Sequence, residues 1–97
     1  MYSVKFTKAA RLELIEAQDW YESEVSGLGR RFGNAVDELV ERMSAHPYQF
    51  PVVYKNIRRF LLHRFPYSLY FVIDGETLLV IACFHASRNP ERWQNRT

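Results

Sequence analysis

Tyr2 to Phe6 alternates apolar and polar residues over a short run, the period of a strand. From Lys8 the period lengthens. Ala10, Leu14, Ala17 and Tyr21 fall at helical spacing with Trp20 beside them, which predicts a helix from Lys8 to about Glu24. Thr7 stands where its hydroxyl can accept an orphan N–H of the first turn. Ser26-Gly27-Leu28-Gly29 interrupts the pattern and supplies a tight link. The next stripe is the clearest in the chain: Leu28, Phe32, Ala35, Val36, Leu39, Val40 and Met43. Arg31, Asn34, Glu38, Glu41 and Arg42 take its other side, and Pro47 ends it. So short a link makes the two helices an antiparallel hairpin.

Tyr48 to Asn56, with Pro51 in its middle, reads as an irregular connection. Ile57 to Phe65 reads as a strand rich in basic side chains, Pro66 as a turn, and Tyr67 to Asp74 as a strongly β-forming run. Asp74-Gly75 signals a hairpin into a last strand from Thr77 to about His85, antiparallel to its predecessor. Asn89-Pro90 has the form of an N-cap followed by a first-turn proline, so residues 90–95 form a short helix. The order β-α-α-β-β-β predicts an α+β fold. The helical hairpin packs on one face of a small, twisted, antiparallel-rich sheet. Leu69, Phe71 and Ile73 alternate to one face of the sheet, and Ser68, Tyr70 and Val72 to the other. The helices cover one of these faces, which leaves all or part of the second free to bind something.

Composition adds bounds to this picture. Ninety-seven residues fit one domain, 1–97, and 47% hydrophobic with 25% charged content excludes disorder as the main theme. A lone cysteine, Cys83, excludes an internal disulfide framework, suggests a packing role in the last strand and favours a reducing, cytoplasmic setting. The longest apolar run, Leu78 to Phe84, is far shorter than the roughly 20 residues of a membrane span. A soluble protein without membrane contact is expected. The net charge of +2 conceals an asymmetry: residues 1–48 carry 6 basic and 8 acidic side chains, residues 49–97 carry 7 basic and 3 acidic. Ten of the 13 basic residues are arginine, the better fork for phosphates and carboxylates. The second half is therefore suited to an acidic partner.

Candidate chemistry is thin. His46, before Pro47 at a helix end, suits the negative end of the helix dipole. His63 and His85, the latter followed by Ser87-Arg88, are the right types for general acid–base work on a phosphodiester. Exposed strand histidines without chemistry account for them equally well. No His-Glu-x-x-His helix, paired cysteines, phosphate loop or Gly-x-Ser-x-Gly elbow is present, so no metal or cofactor is expected. The basic set says more. Arg59, His63 and Phe65 share one phase of the predicted strand, and Arg58, Phe60 and Arg64 the other. Arginines interleaved with aromatics suit either nucleic acid or a protein groove for an acidic, amphipathic segment. A merely solvated face explains them least, because Arg88, Arg92 and Arg96 add to them.

Two stretches carry a family resemblance: Arg64-Phe65-Pro66-Tyr67-Ser68-Leu69-Tyr70, and His85-Ala86-Ser87-Arg88-Asn89-Pro90-Glu91-Arg92-Trp93. With Phe6-Thr7, Trp20-Tyr21-Glu22, Gly27-Leu28-Gly29, Phe32 and Pro47 to Pro51, the chain resembles the RelE/ParE superfamily of type II toxins over essentially its whole length. The resemblance implies a toxin kept neutral by a cognate antitoxin in a hetero-oligomer, with DNA reached only through the antitoxin. RelE-like members cut ribosome-bound mRNA with Lys, Arg and a C-terminal Tyr. Here Ser68 stands where those nucleases place an arginine, and Trp93 fills the tyrosine position. The chain is therefore more similar to the ParE branch, plasmid-stabilisation toxins that arrest growth by poisoning DNA gyrase.

On that resemblance Arg58, Arg59, Arg64, Arg88, Arg92 and Trp93 are expected to contact the target. Trp20, Tyr21 and Tyr70 are expected to receive an acidic, amphipathic C-terminal segment of the antitoxin. Two alternatives stay open: a ribosome-dependent endoribonuclease using His63, His85 and Arg88, and a binding module without toxicity.

Overall fold

The structure, a computed structural model, describes residues 2–96. Its elements follow the hydrophobic pattern closely: β1 (Ser3–Phe6), α1 (Lys8–Glu24), α2 (Leu28–Ala45), β2 (Val52–Tyr54), β3 (Ile57–Leu61), β4 (Tyr67–Asp74), β5 (Thr77–His85) and α3 (Glu91–Gln94). Two boundaries differ from the sequence reading. The connection after α2 is not wholly irregular, because it holds a 3-10 turn at Pro47–Gln49 and the short strand β2. Val52-Val53-Tyr54 is β-forming, and a two-residue turn with Lys55 at φ +50 folds it antiparallel onto β3 through a bulge. The order is thus β-α-α-β-β-β-β. β3 also ends at Leu61, four residues early. Arg64 takes φ +75, and the Leu62 N–H returns to the Tyr67 carbonyl at 2.8 Å, so 63–66 bow out as a loop. The phase that joined Arg59 to His63 and Phe65 does not survive that kink.

The five strands lie in the order β1-β5-β4-β3-β2, with β1 parallel to β5 and the remaining pairs antiparallel. The helical hairpin covers one face, as the phase of β4 predicts. Ala10, Ala17, Tyr21, Phe32, Val36, Leu39 and Met43 meet Leu69, Phe71, Leu78, Val80 and Cys83 in one buried cluster. Phe32 is its hub, with ring centroids 5.3 Å from Tyr21, 5.3 Å from Phe65 and 5.4 Å from Tyr67. Burial of each such ring contributes about 1.5–3 kcal/mol. A second cluster of Ile57, Tyr70, Ile81, Ala82, Phe84 and Trp93 occupies the opposite face. That face is therefore free only in part. A bulge explains why Ile81 and Ala82 both join it: Phe71 pairs with Val80 and Tyr70 with Ala82, leaving Ile81 as the extra residue.

The helix ends follow their local chemistry. Thr7 Oγ1 accepts the Ala10 N–H at 3.1 Å, a cap that contributes about 1 kcal/mol. α2 has no such residue, because its N-cap is Gly27 at φ +88. Glu22 at the end of α1 substitutes for it. Its carboxylate accepts from Gly27 N–H and Gly29 N–H, both at 2.9 Å, so the positive end of one helix is capped by the other. Gly29 permits this approach, since a Cβ there would lie 2.9 Å from the Gln18 carbonyl and from Glu22 Cβ. Asp74-Gly75 makes the expected hairpin, with Gly75 at φ +60. Among the described residues, no helix is long and apolar enough to cross a membrane.

The Gly27 and Gly29 N–H bonds hold the Glu22 carboxyl below its ordinary value. A carboxylate with a depressed folded-state pKa stabilises above its unfolded pKa, about 4.3, and that stability is lost as pH falls through the folded value. Glu22→Gln, with one acceptor where two are needed, should melt at a lower temperature than wild type at pH 7. The gap should close below pH ~4. Equal gaps at both pH values would show that the carboxylate does not cap α2.

Candidate functional site

Among the described residues, one cleft opens on the helical side of the sheet and another at the edge of β5, where side chains of both faces meet. The larger, about 760 Å³, lies between α2 and the 63–66 loop. Leu39, Phe60 and Leu62 line it with apolar surface, and Arg31, Arg42, His63 and Arg64 line it against one carboxylate, Glu38. The Arg42 guanidinium lies 4.9 Å from the Phe60 ring centroid, so a cation overlies the apolar surface. The left-handed turn at Arg64 lets Phe65 pack against Tyr21 at 4.9 Å while Arg64 stays exposed. An apolar trough with a basic rim suits an amphipathic, acidic segment.

The smaller cleft, about 240 Å³, lies between α1 and the end of β5 and is lined by Glu13, Glu16, Trp20, Tyr67, His85 and Arg88 among others. His85 Nδ1 lies 2.8 Å from Ser87 Oγ and accepts the Ser87 N–H at 3.1 Å. That pattern assigns the ring proton to Nε2 and leaves it as the one nitrogen the turn does not use. Burial, and then Cys83, push the Tyr67 phenol up, with Arg88 pulling against them. Tyr67 is a protonated hydroxyl at neutral pH. His63 and His85 line different clefts, so the pair of histidines does not form one constellation.

Across the sheet, Trp93 stacks on Tyr70 with centroids 4.1 Å apart and planes at 20°. The cover is anchored further along by Arg96. Its guanidinium meets the Glu13 carboxylate at 2.7 and 2.8 Å and donates to the Ile81 carbonyl at 2.9 Å. Glu13 Oε1 also accepts the Cys83 N–H at 3.1 Å. These side-chain hydrogen bonds raise Arg96 above its ordinary value, burial opposing them. Arg88 and Arg96 lie 5.4 and 5.0 Å from the Phe84 ring centroid.

The residues singled out from sequence are therefore dispersed. Arg59 is exposed on the far face opposite Tyr70, and Arg88 and Arg92 are exposed around α3. Arg64 belongs to the groove. Arg58 is occupied, donating to the Phe50 carbonyl at 2.7 Å and stacking over Tyr48 at 5.0 Å. Trp93, Tyr70 and Tyr21 are buried at 4%, 6% and 9% exposure, whereas Trp20 is 55% exposed and sits edge-on to Tyr21 at 5.1 Å. Of the expected anchors, Trp20 alone presents its ring. Nothing local in the sequence marks Glu13, Arg31 and Arg42 as site residues, because their roles arise from contacts distant in the chain. Among the described residues, no group of three His, Cys, Asp or Glu side chains is placed to hold a metal ion.

The model of the family described as ParE toxin of type II toxin–antitoxin system, parDE, matches residues 4–90. The chain belongs to the ParE toxin family. A solved chain of the chromosomal ParDE TA system from P. aeruginosa shares the fold, with a TM-score of 0.66 and 23% identity, covering 88% of this toxin and 96% of that chain. No curated protein matches it.

Burial, with the neighbouring Glu13 charge adding, pushes the Cys83 thiol of the toxin up to about 12. At pH 8 its thiolate fraction is then roughly one in ten thousand. Modification by a thiol reagent should proceed no faster than unfolding. Glu13→Ala should lose about 1–3 kcal/mol in urea titration, because the Cys83 N–H loses its acceptor, and should speed the modification. Rapid labelling of the native wild type would overturn the buried, edge-capped arrangement.

Proposed function

We propose that this toxin acts by binding and poisoning DNA gyrase, under the control of a cognate antitoxin in a cytoplasmic hetero-oligomer. The observation that carries the reading is the arrangement of the far-face rim. Arg59, Arg88 and Arg92 are exposed around a plate formed by Trp93 on Tyr70, and Arg96 holds that plate to α1. A preformed basic surface, held in shape by a buried aromatic stack, binds a protein target with little ordering cost. The buried Trp93 and Tyr70 then act by shaping the plate rather than by touching the target. The ParE branch to which the motifs are similar supplies the target class, and the ParDE TA system that contains the fold neighbour supports an antitoxin partner.

The antitoxin reading is carried by the α2 groove. An acidic amphipathic segment lays its apolar side on Leu39, Phe60 and Leu62 and its carboxylates on Arg31, Arg42 and Arg64, with exposed Trp20, which lines the smaller cleft, as an outlying anchor. Groove and far-face rim lie on opposite sides of the sheet, so the two partners use different arginines.

Induction of the toxin without antitoxin should arrest bacterial growth with broken DNA. The purified protein should trap gyrase holoenzyme on supercoiled plasmid as a cleaved complex. Replacing Arg59, Arg88 and Arg92 together by alanine should weaken trapping at least about tenfold, as the loss of several interface charges does, and leave antitoxin binding intact. Arg42→Glu with Arg64→Glu should do the reverse. Intact DNA alongside cut ribosome-bound mRNA would reject the gyrase reading in favour of cleavage through His85 and Arg88, which share the smaller cleft. Absence of any growth effect would identify a binding module.

A further inference from the structure

α1 segregates its apolar residues less cleanly than α2. Ala10, Ala17 and Tyr21 face the sheet, yet Leu12 and Ile15 stand 50% and 44% exposed on the outer side. Lys8, Leu12, Ile15 and Asp19 recur at i, i+4, i+7 and i+11, one narrow stripe about 16 Å long at 1.5 Å per residue. All four are exposed. The stripe is basic at its N-terminal end, apolar in the middle and acidic at its C-terminal end. Glu13 with Arg96 is the one ion pair among the described residues, so neither Lys8 nor Asp19 finds an opposite charge there.

Turned end for end, this stripe becomes its own complement: Lys8 comes over Asp19 and Leu12 over Ile15. Self-complementarity of that kind is what a two-fold interface requires, since residue i must meet j while j meets i. A parallel pair would instead set Lys8 against Lys8 and Asp19 against Asp19. An acidic segment is a poor occupant as well, because Glu16, Asp19, Glu22 and Glu24 crowd the second half of the helix.

We propose that the outer face of α1 is a self-association surface. Two copies of the chain pair α1 against α1, antiparallel, across a two-fold axis between Leu12 and Ile15. One short helix pair buries less than the roughly 1,200–2,000 Å² of a standard interface, so the dimer is weak and concentration-dependent. It leaves the α2 groove and the far-face rim uncovered, and it stands whether or not gyrase is the target.

Sedimentation equilibrium of the purified chain, from micromolar to millimolar concentration, tests it. Wild type should show a monomer–dimer equilibrium that weakens with added salt. Lys8→Glu and Asp19→Lys should each raise the dimer dissociation constant about tenfold or more, because two attractive contacts become repulsive. Lys8→Glu also puts a carboxylate in the first turn, where the helix dipole favours it, so circular dichroism should show folding retained. The equimolar mixture of the two variants should dimerise again. In the mixed pair the new carboxylate faces the new ammonium, and native Lys8 faces native Asp19. A wild type that stays monomeric throughout overturns the proposal, and so does a dimer indifferent to both variants and to their mixture.

Discussion

The open half of β5 is the constraint on which the tertiary arrangement turns. β1 pairs with β5 only as far as Phe6 opposite Val80, and the Thr7 N–H closes onto the Val80 carbonyl. Past that point the edge of a strand buried on both faces still presents the bulge carbonyl of Ile81 and the N–H of Cys83. Such groups are costly to leave without partners in a protein interior. Glu13 and Arg96 satisfy both, and their mutual pairing joins α1 to the C-terminal segment. A carboxylate and a guanidinium thus do what a sixth strand would do. Because Arg96 is fixed, α3 is drawn over the far face and Trp93 lies flat on Tyr70.

Seen from this pair, the two sides of the sheet have different work. The helical side is closed by the Phe32 hub, and what stays open is the trough beside α2. The far side is closed by Trp93, and what stays open is its arginine rim. Charge is distributed by surface and not by position along the chain. Arg31 and Arg42 belong to the acidic first half of the sequence, yet they line the same groove as Arg64 from the basic second half. The acidic surplus of the first half lies instead largely on α1, in Glu16, Asp19, Glu22 and Glu24. The asymmetry of −2 and +4 between the halves is therefore a coarse shadow of a finer segregation.

The elements themselves were legible in the sequence because each rests on local physics. A Thr before a helical stripe caps it, two glycines between stripes turn the chain, and Asp-Gly between β runs closes a hairpin. The departures from that pattern are local too. β2 is three residues long and bulged, too short for a period to register. The end of β3 depends on Arg64 adopting φ +75, a conformation that nothing in the side chain of an arginine announces.

The sequence by itself determined the α+β class, the helical hairpin, the face of β4 that packs on it, and the motifs that mark a ParE-type toxin. Only the tertiary structure decided which charged and aromatic residues are available. Trp93, Tyr70 and Tyr21 are types that anchor interfaces, but each is consumed in packing, and Arg58 is consumed by backbone carbonyls. Glu13 and Arg96 look like ordinary surface charges, yet they complete a strand edge 83 residues apart in the chain. The reason is that periodicity reports which way a side chain points from its own element. Whether a partner already occupies that direction depends on contacts between segments far apart in sequence, and those exist only in the folded chain.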